Sequence, residues 1–173
     1  MGRKSLLALF TLCLMSQPLP LMANLIQNGG FEDTAVSSNS WAWFYASDVL
    51  GWSGSNIEIW DSFQGFSAFE GTQHAELNAH PSNGQAFSIY QSFNTQVGAS
   101  YDLSFAYSAR SSINEAFLLN LYAADNSSLV STLLDDHEVR KWSLFNTSFV
   151  AIDLTTTLRF TSVTPNSGTV GNF

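Results

Sequence analysis

The chain has 173 residues, with 14 acidic against six basic side chains and a formal net charge of −8. Aromatic residues make up 14% and charged residues only 12%, so most of its polar surface must come from Ser, Thr and Asn. An acidic chain of this kind repels nucleic acid and anionic lipid, and a single cysteine, Cys13, excludes an intrachain disulfide or a multi-thiolate metal site.

The first 23 residues have the layout of an export leader. Arg3 and Lys4 are followed by an apolar run over residues 5–15 and then by a segment ending in the small residue Ala23. The run is shorter than the roughly 20 apolar residues a bilayer span needs. Lipidation at Cys13 is disfavoured by the bulky Leu12 before it. No other segment is long and apolar enough to cross a membrane as a helix, so a soluble product outside the cytoplasm is expected: secreted, periplasmic or on the cell surface. Removal of the leader would leave four basic residues against 14 acidic ones, a formal charge of −10, and no cysteine. About 150 residues remain, enough to bury about 70% of the unfolded surface in one self-sufficient domain.

From there the chain reads as short strands. Residues 24–27 form a first strand candidate, stopped by the strong turn signal Asn28, Gly29, Gly30. Residues 41–45 and 56–60 are strands on either side of Gly51, Trp52 and Gly54. Residues 73–79 alternate, with Ala75, Leu77 and Ala79 on one face and His74, Glu76 and Asn78 on the other, until Pro81 to Gly84 turn the chain. Residues 86–93 put Phe87, Ile89 and Phe93 inward and Ser88, Tyr90 and Ser92 outward. Tyr101, Leu103, Phe105 and Tyr107 form the clearest dry face, opposite Asp102, Ser104, Ala106 and Ser108. Segments 116–122, 129–134, 142–150 and 157–163 complete about ten strands. Alternation of this kind requires sheets with one dry and one wet face. No segment sustains a period of 3.6 residues, so the expectation is an all-β antiparallel sandwich with little helix, one domain over residues 24–173 and no internal repeat. Residues 166–173 read as a turn followed by the start of an apolar segment, from which a final strand is expected to be missing, leaving its neighbour's edge open.

The order of several motifs carries a family likeness. Asn24 to Glu32 (NLIQNGGFE) opens this region, followed by Gly51-Trp52, Ile57-Glu58-Ile59 and Gln73-His74-Ala75-Glu76-Leu77. Tyr90-Gln91-Ser92-Phe93 and Gly98-Ala99-Ser100-Tyr101-Asp102-Leu103-Ser104-Phe105 come next. Together they resemble the galactose-binding-domain-like jelly roll, most of all the secreted cell-wall domain of unknown function shared by plants and bacteria, near carbohydrate-binding module families four and nine. The resemblance implies a jelly-roll sandwich, glycan binding without catalysis, and a structural calcium ion near the first turn. The positions matching the calcium site are Asn28, Gly30 and Glu32. The aspartate the likeness expects after Gly171, Asn172 and Phe173 is not in the sequence, and a calcium ion prefers six to eight oxygen ligands.

Other constellations have simpler readings. A His74, Glu76, His80 row suits a transition metal in type, but alternate strand positions lie about 6.6 Å apart and reach one ion poorly, so a polar sheet face is expected. Glu58 and Asp61 resemble the acids of jelly-roll glycosidases, yet residues three apart face opposite sides of a strand, whereas retention needs two carboxyls about 5–5.5 Å apart. Gln91 interrupts an inward face and is expected to be a buried amide bonded to backbone. Trp43 and Trp52 are expected in the core, and Trp60, beside the Phe-rich loop 61–71, as an exposed platform.

The wet face of the strands offers the best binding surface. Small Ser104, Ala106 and Ser108 leave a trough continued by Arg110, with Ser88 and Tyr90 on a second strand and Asn120 and Tyr122 on a third. Aromatic faces stack on sugar C–H surfaces, while Arg and Asn give directional hydrogen bonds. Trp60, Tyr90, Arg110, Asn120 and Tyr122 are therefore the expected carbohydrate contacts, and the expected partner is a cell-wall or matrix polysaccharide. An alternative of a different class is a structural or adhesive extracellular component whose open sheet edge pairs with another protein chain. A glycoside hydrolase is a third.

Overall fold

The computed structural model describes residues 24–173; the expected leader, with Cys13, lies outside the described residues. Ten strands follow in order: β1 (Ser40–Phe44), β2 (Ser53–Gly54), β3 (Ile57–Asp61), β4 (Gln73–Glu76), β5 (Ser88–Asn94), β6 (Ser100–Tyr107), β7 (Ala116–Ala123), β8 (Ser128–Leu134), β9 (Ser143–Val150) and β10 (Thr155–Thr164). Among the described residues the only helical segments are two short 3₁₀ turns, Ala46–Asp48 and Phe63–Gly65.

The strands make two layers. One is a five-stranded antiparallel sheet in the order β2-β5-β10-β7-β8, with the long strand β10 at its centre. The other is split into a three-stranded part, β1-β3-β4, and the pair β6-β9. The core lies between the layers. Ile57 and Ile59 of β3 and Phe149 of β9 meet Ile89, Leu119, Leu121 and Leu158 of the five-stranded sheet. Phe105 of β6 packs edge-on against Phe160 of β10 with ring centroids 5.0 Å apart. Each fully buried aliphatic side chain in this interface contributes about 1.5–3 kcal/mol. The alternation of β7 shows the cause directly: Phe117, Leu119 and Leu121 face the core, and Leu118, Asn120 and Tyr122 face away.

The antiparallel sandwich expected from the alternation is what forms, but one local expectation is corrected. Residues 24–27 are not a strand. The buried side chain of Gln91 holds them instead, accepting a hydrogen bond from the Gln27 N–H at 2.6 Å and donating to its carbonyl at 2.9 Å. The two-residue β2 carries too little pattern to be seen in sequence; it sits so close to β5 that a Cβ at Gly54, whose φ is +109°, would lie 2.1 Å from the Ser88 carbonyl oxygen. Residues 171–173 already lie between the two parts of the split layer. The Leu77 N–H donates to the Asn172 carbonyl (2.9 Å), and Ser108 and Phe173 exchange two N–H···O bonds of 3.0 Å. Past those rungs, among the described residues, β4 pairs only with β3 and β6 only with β9, and an apolar cleft of about 100 Å³ lies between them, lined by Ala75, Ile89, Phe105, Phe117 and Phe160.

Candidate functional site

Two regions gather the residues singled out by sequence, and they behave differently. On the outer face of the five-stranded sheet the register places Ser53, Tyr90, Arg159, Asn120 and Ser131 opposite one another, one residue from each strand. Flanking rows are Ser92, Thr157 and Tyr122 on one side and Ser88, Thr161 and Leu118 on the other. The guanidinium of Arg159 lies 4.9 Å from the ring centroid of Tyr90 and 5.8 Å from that of Tyr122, an arrangement favoured by the negative faces of the rings. Its Nε is buried without a hydrogen-bond partner among the described residues. Asn120 is only 4% exposed and donates to the Ser131 Oγ at 3.0 Å, so it forms the floor of the row. The hydroxyl pairs Ser92–Thr157 (2.8 Å) and Ser88–Thr161 (3.2 Å) line its sides.

At the β2 end the row runs into an open hollow of about 380 Å³ lined by Tyr45, Ala46, Ser47, Ser53, Gly54 and Asn56. Tyr45 is 60% exposed and meets Trp43 edge-on at 5.3 Å. Trp43 is thus a surface residue, not the core residue expected, because β1 turns Trp41 and Trp43 outward and Ala42 and Phe44 inward. Trp52 is in the core as expected, stacked on Phe31 at 5.1 Å.

The second region is the outer side of β3 and β4, where Trp60 and Arg110 part from expectation. Trp60 has no exposed surface, so it offers no platform; Phe63, Phe66, Trp142 and Phe173 form an aromatic lid there. Its indole N–H donates to Glu58 at 2.8 Å. Arg110 does not continue the face of Tyr90. It leaves the end of β6, which belongs to the split layer together with Ser104 and Ala106, and turns inward over the Trp60 ring at 4.6 Å. There one of its nitrogens donates to both Glu76 oxygens at 2.7 and 2.8 Å and lies 3.8 Å from Glu58. Strand parity assigned Arg110 a face but not the layer that β6 joins.

His74, Glu76 and Asn78 are likewise buried under this lid rather than wet. Burial pushes His74 down to about 4 and leaves both ring nitrogens without partners. Burial, reinforced by the nearby Glu58, raises Glu76 above the usual carboxylate range against the opposing pull of Arg110. Glu76 also accepts the Gly171 N–H at 2.7 Å, and Glu115 accepts that of Asn172 at 2.7 Å, so these two carboxylates seat residues 171–173. Among the described residues no group of three or more His, Cys, Asp and Glu side chains is arranged to hold a metal.

The calcium ligands implied by the family likeness can be tested on their own oxygens. Glu32 accepts the Thr72 N–H, the Thr72 hydroxyl and the Gln73 N–H at 2.7–2.9 Å. Desolvation alone would raise its carboxyl, but these bonds outweigh it and hold the carboxyl below its usual range. The Asn28 side-chain oxygen accepts the Asp33 N–H, and its carbonyl accepts from Phe31 and the Trp52 indole. The oxygens of Asn28 and Glu32 thus already accept from protein donors, with which a calcium ion would compete, and Glu32 ties the first turn to the start of β4.

Of the expected carbohydrate contacts, Tyr90, Asn120 and Tyr122 share one face; Trp60 and Arg110 do not. Arg159, at the centre of that face, was missed, although Thr157, Arg159 and Thr161 alternate with Leu158 and Phe160 in a segment already read as a strand.

No protein-family model and no curated protein sequence matches this chain. Solved structures do. One is described as TmCBM61 in complex with β-1,4-galactotriose, with TM-score 0.54, 12% identity, and coverage of 87% of this chain and 91% of that one. Another is a family 16 carbohydrate-binding module, with TM-score 0.52, 17% identity and coverage of 86% and 93%. A third is the arabinose-bound α-L-arabinofuranosidase MgGH51, with TM-score 0.52 and 18% identity; 86% of this chain aligns with 25% of that one. At these identities the likeness is one of fold: the chain is an antiparallel β-sandwich of the jelly-roll kind found in carbohydrate-binding modules.

Proposed function

We propose that the protein is an extracellular, non-catalytic polysaccharide-binding module whose ligand lies along the outer face of the five-stranded sheet. The observation that carries this reading is the row Ser53, Tyr90, Arg159, Asn120 and Ser131, in which an arginine stacks between two tyrosines over a floor of small polar side chains. Tyrosine faces accept sugar C–H surfaces, and Asn, Ser and Arg supply directional hydrogen bonds, the usual composition of a ligand groove. The open hollow beside Tyr45 and Trp43 extends the track. The non-catalytic part is supported by the burial of Glu58 and Glu76, whose oxygens serve Trp60, Arg110 and Gly171 beneath the aromatic lid. Export rests on the leader-like composition of residues 1–23. A glycan array on the folded protein tests the reading: binding that weakens in Tyr90→Ala plus Tyr122→Ala supports it, and silence across the array counts against it.

A further inference from the structure

The reading of the five-stranded face as a glycan site leaves the class of sugar open, and the charge arrangement narrows it. The described residues contain four basic side chains. Three have acceptors: Arg110 meets Glu76 and Glu58, Lys141 meets Glu138 at 2.7 Å, and Arg140 donates to the carbonyl and side chain of Gln64. Arg159 makes no side-chain hydrogen bond and no ion pair among the described residues, and its Nε is withdrawn from solvent. This is notable in a region holding 14 carboxylates, any of which would stabilise it. The outward residues of its own strand and of the flanking strands are Thr157, Thr161, Tyr90, Asn120 and Tyr122, with Ser88, Ser92 and Leu118 beside them; none is acidic. The face is therefore a carboxylate-free patch with one cation at its centre, held in place by two aromatic rings.

A partly desolvated guanidinium that lacks acceptors carries a cost that neutral hydroxyls relieve only one hydrogen bond at a time. A carboxylate relieves it better, because its two oxygens match the planar fork and neutralise the charge. We propose, building on the glycan reading of this face, that Arg159 receives the carboxylate of a uronic acid residue, so that the ligand is an acidic polysaccharide. Tyr90 and Tyr122 then hold the guanidinium and contact the rings of the sugars on either side, and Asn120 and the Ser and Thr hydroxyls meet their hydroxyl groups. The net negative charge of the protein works against polyanions at long range, so the preference arises from contact at Arg159 rather than from steering.

The test is a set of uronate-bearing oligosaccharides, each printed beside its own carboxyl-reduced, neutral counterpart, probed with the wild-type protein, Arg159→Gln and Arg159→Lys. All three are first shown to be folded by near-ultraviolet circular dichroism. The wild type is expected to bind the acidic member of a recognised pair about tenfold or more tightly than its neutral partner, the scale of one charge-assisted pair. R159Q should erase that preference, weakening binding to the acidic member far more than to the neutral one, and R159K should retain part of it. Equal affinity for both members, or a preference surviving in R159Q, would overturn the proposal while leaving the glycan reading in place. Binding of the wild type to neither member of any pair would overturn both.

Discussion

The two outer faces of the sandwich start from the same kind of sequence, polar and aromatic side chains alternating with core residues, and end in opposite states. On the five-stranded sheet the outward residues remain at the surface, and Tyr90, Arg159 and Tyr122 stack there with only short hydroxyl side chains around them. On β3 and β4 the outward residues Glu58, Trp60, His74 and Glu76 are sealed under Phe63, Phe66, Trp142 and Phe173. The difference is made by loops and by residues 171–173, not by the strands. Alternation says which side chains share a face, and the segments that cross that face decide whether it is wet.

The contrast breaks most visibly on the sealed side. Trp60→Ala removes the centre of the aromatic lid and should cost about 3–5 kcal/mol, the range for large aromatic truncations, read as a lower urea midpoint. Arg110→Ala leaves Glu58 and Glu76 buried without their cation. Leaving buried acceptors without their donor costs about 1–3 kcal/mol, more where the group is charged, so this variant should lose somewhat less than the first. A loss below about 1 kcal/mol in both would mean the lid is not packed as described.

Binding should respond on the open side instead. Tyr90→Ala plus Tyr122→Ala is expected to weaken glycan binding by about 2 kcal/mol or more, the level of an interface hot spot, while the urea midpoint moves little. The converse pattern, binding preserved and stability lost, would make the tyrosines structural.

The sealed side should also set the pH dependence of stability. His74 is held neutral by burial, with its value lowered from 6.5 to about 4. The unfolded chain then takes up a proton that the native state refuses, so His74 alone makes stability fall as pH drops from about 6.5 towards 4. Glu76 acts in the opposite sense: its raised value means that the native state keeps a proton the unfolded chain releases, so stability declines as pH climbs above 4.5. His137, also lowered by burial, acts in the same sense as His74, so between about 4.5 and 6.5 Glu76 opposes the two histidines and above that window it acts without them. Wild-type stability should therefore decline above that window, and His74→Phe should move the onset of the decline to lower pH. Identical pH profiles for the two proteins would contradict the burial of a neutral imidazole.

Finally, the difference in strand pairing should be legible in hydrogen exchange. The amides of β10 are paired on both sides, whereas Ser104 and Ala106 share the parity of Ser108 and point at the cleft beyond the last rungs of residues 171–173. They should exchange about a hundredfold faster than the amides of Leu158 and Arg159; equal protection would mean the cleft is closed in solution.

Much of the architecture could be read from the sequence. The alternation of Phe117, Leu119 and Leu121 against Leu118, Asn120 and Tyr122 defines β7 and both its faces, and the same holds for β5 and β6. Gln91 was legible as a buried amide because it breaks a dry face. The site was only partly legible. Tyr90, Asn120 and Tyr122 group correctly because parity is local, but which strands lie side by side depends on long-range pairing that parity does not encode. Parity therefore sets Arg110 beside Tyr90 when β6 belongs to the other layer, and it passes over Arg159, which is distant in sequence and adjacent in space. Trp60 failed for a different reason: its exposure depends on Phe66, Trp142 and Phe173, which come from three separate segments.

The most direct test is a nuclear magnetic resonance titration of the isotope-labelled protein with a glycan it binds. The account predicts that the largest shifts fall on Tyr90, Asn120, Tyr122 and the guanidinium of Arg159, and that the signals of Trp60 and Arg110 stay still. Shifts centred on β4, β6 or the Trp60 lid, with the Tyr90–Arg159–Tyr122 row unmoved, would contradict it.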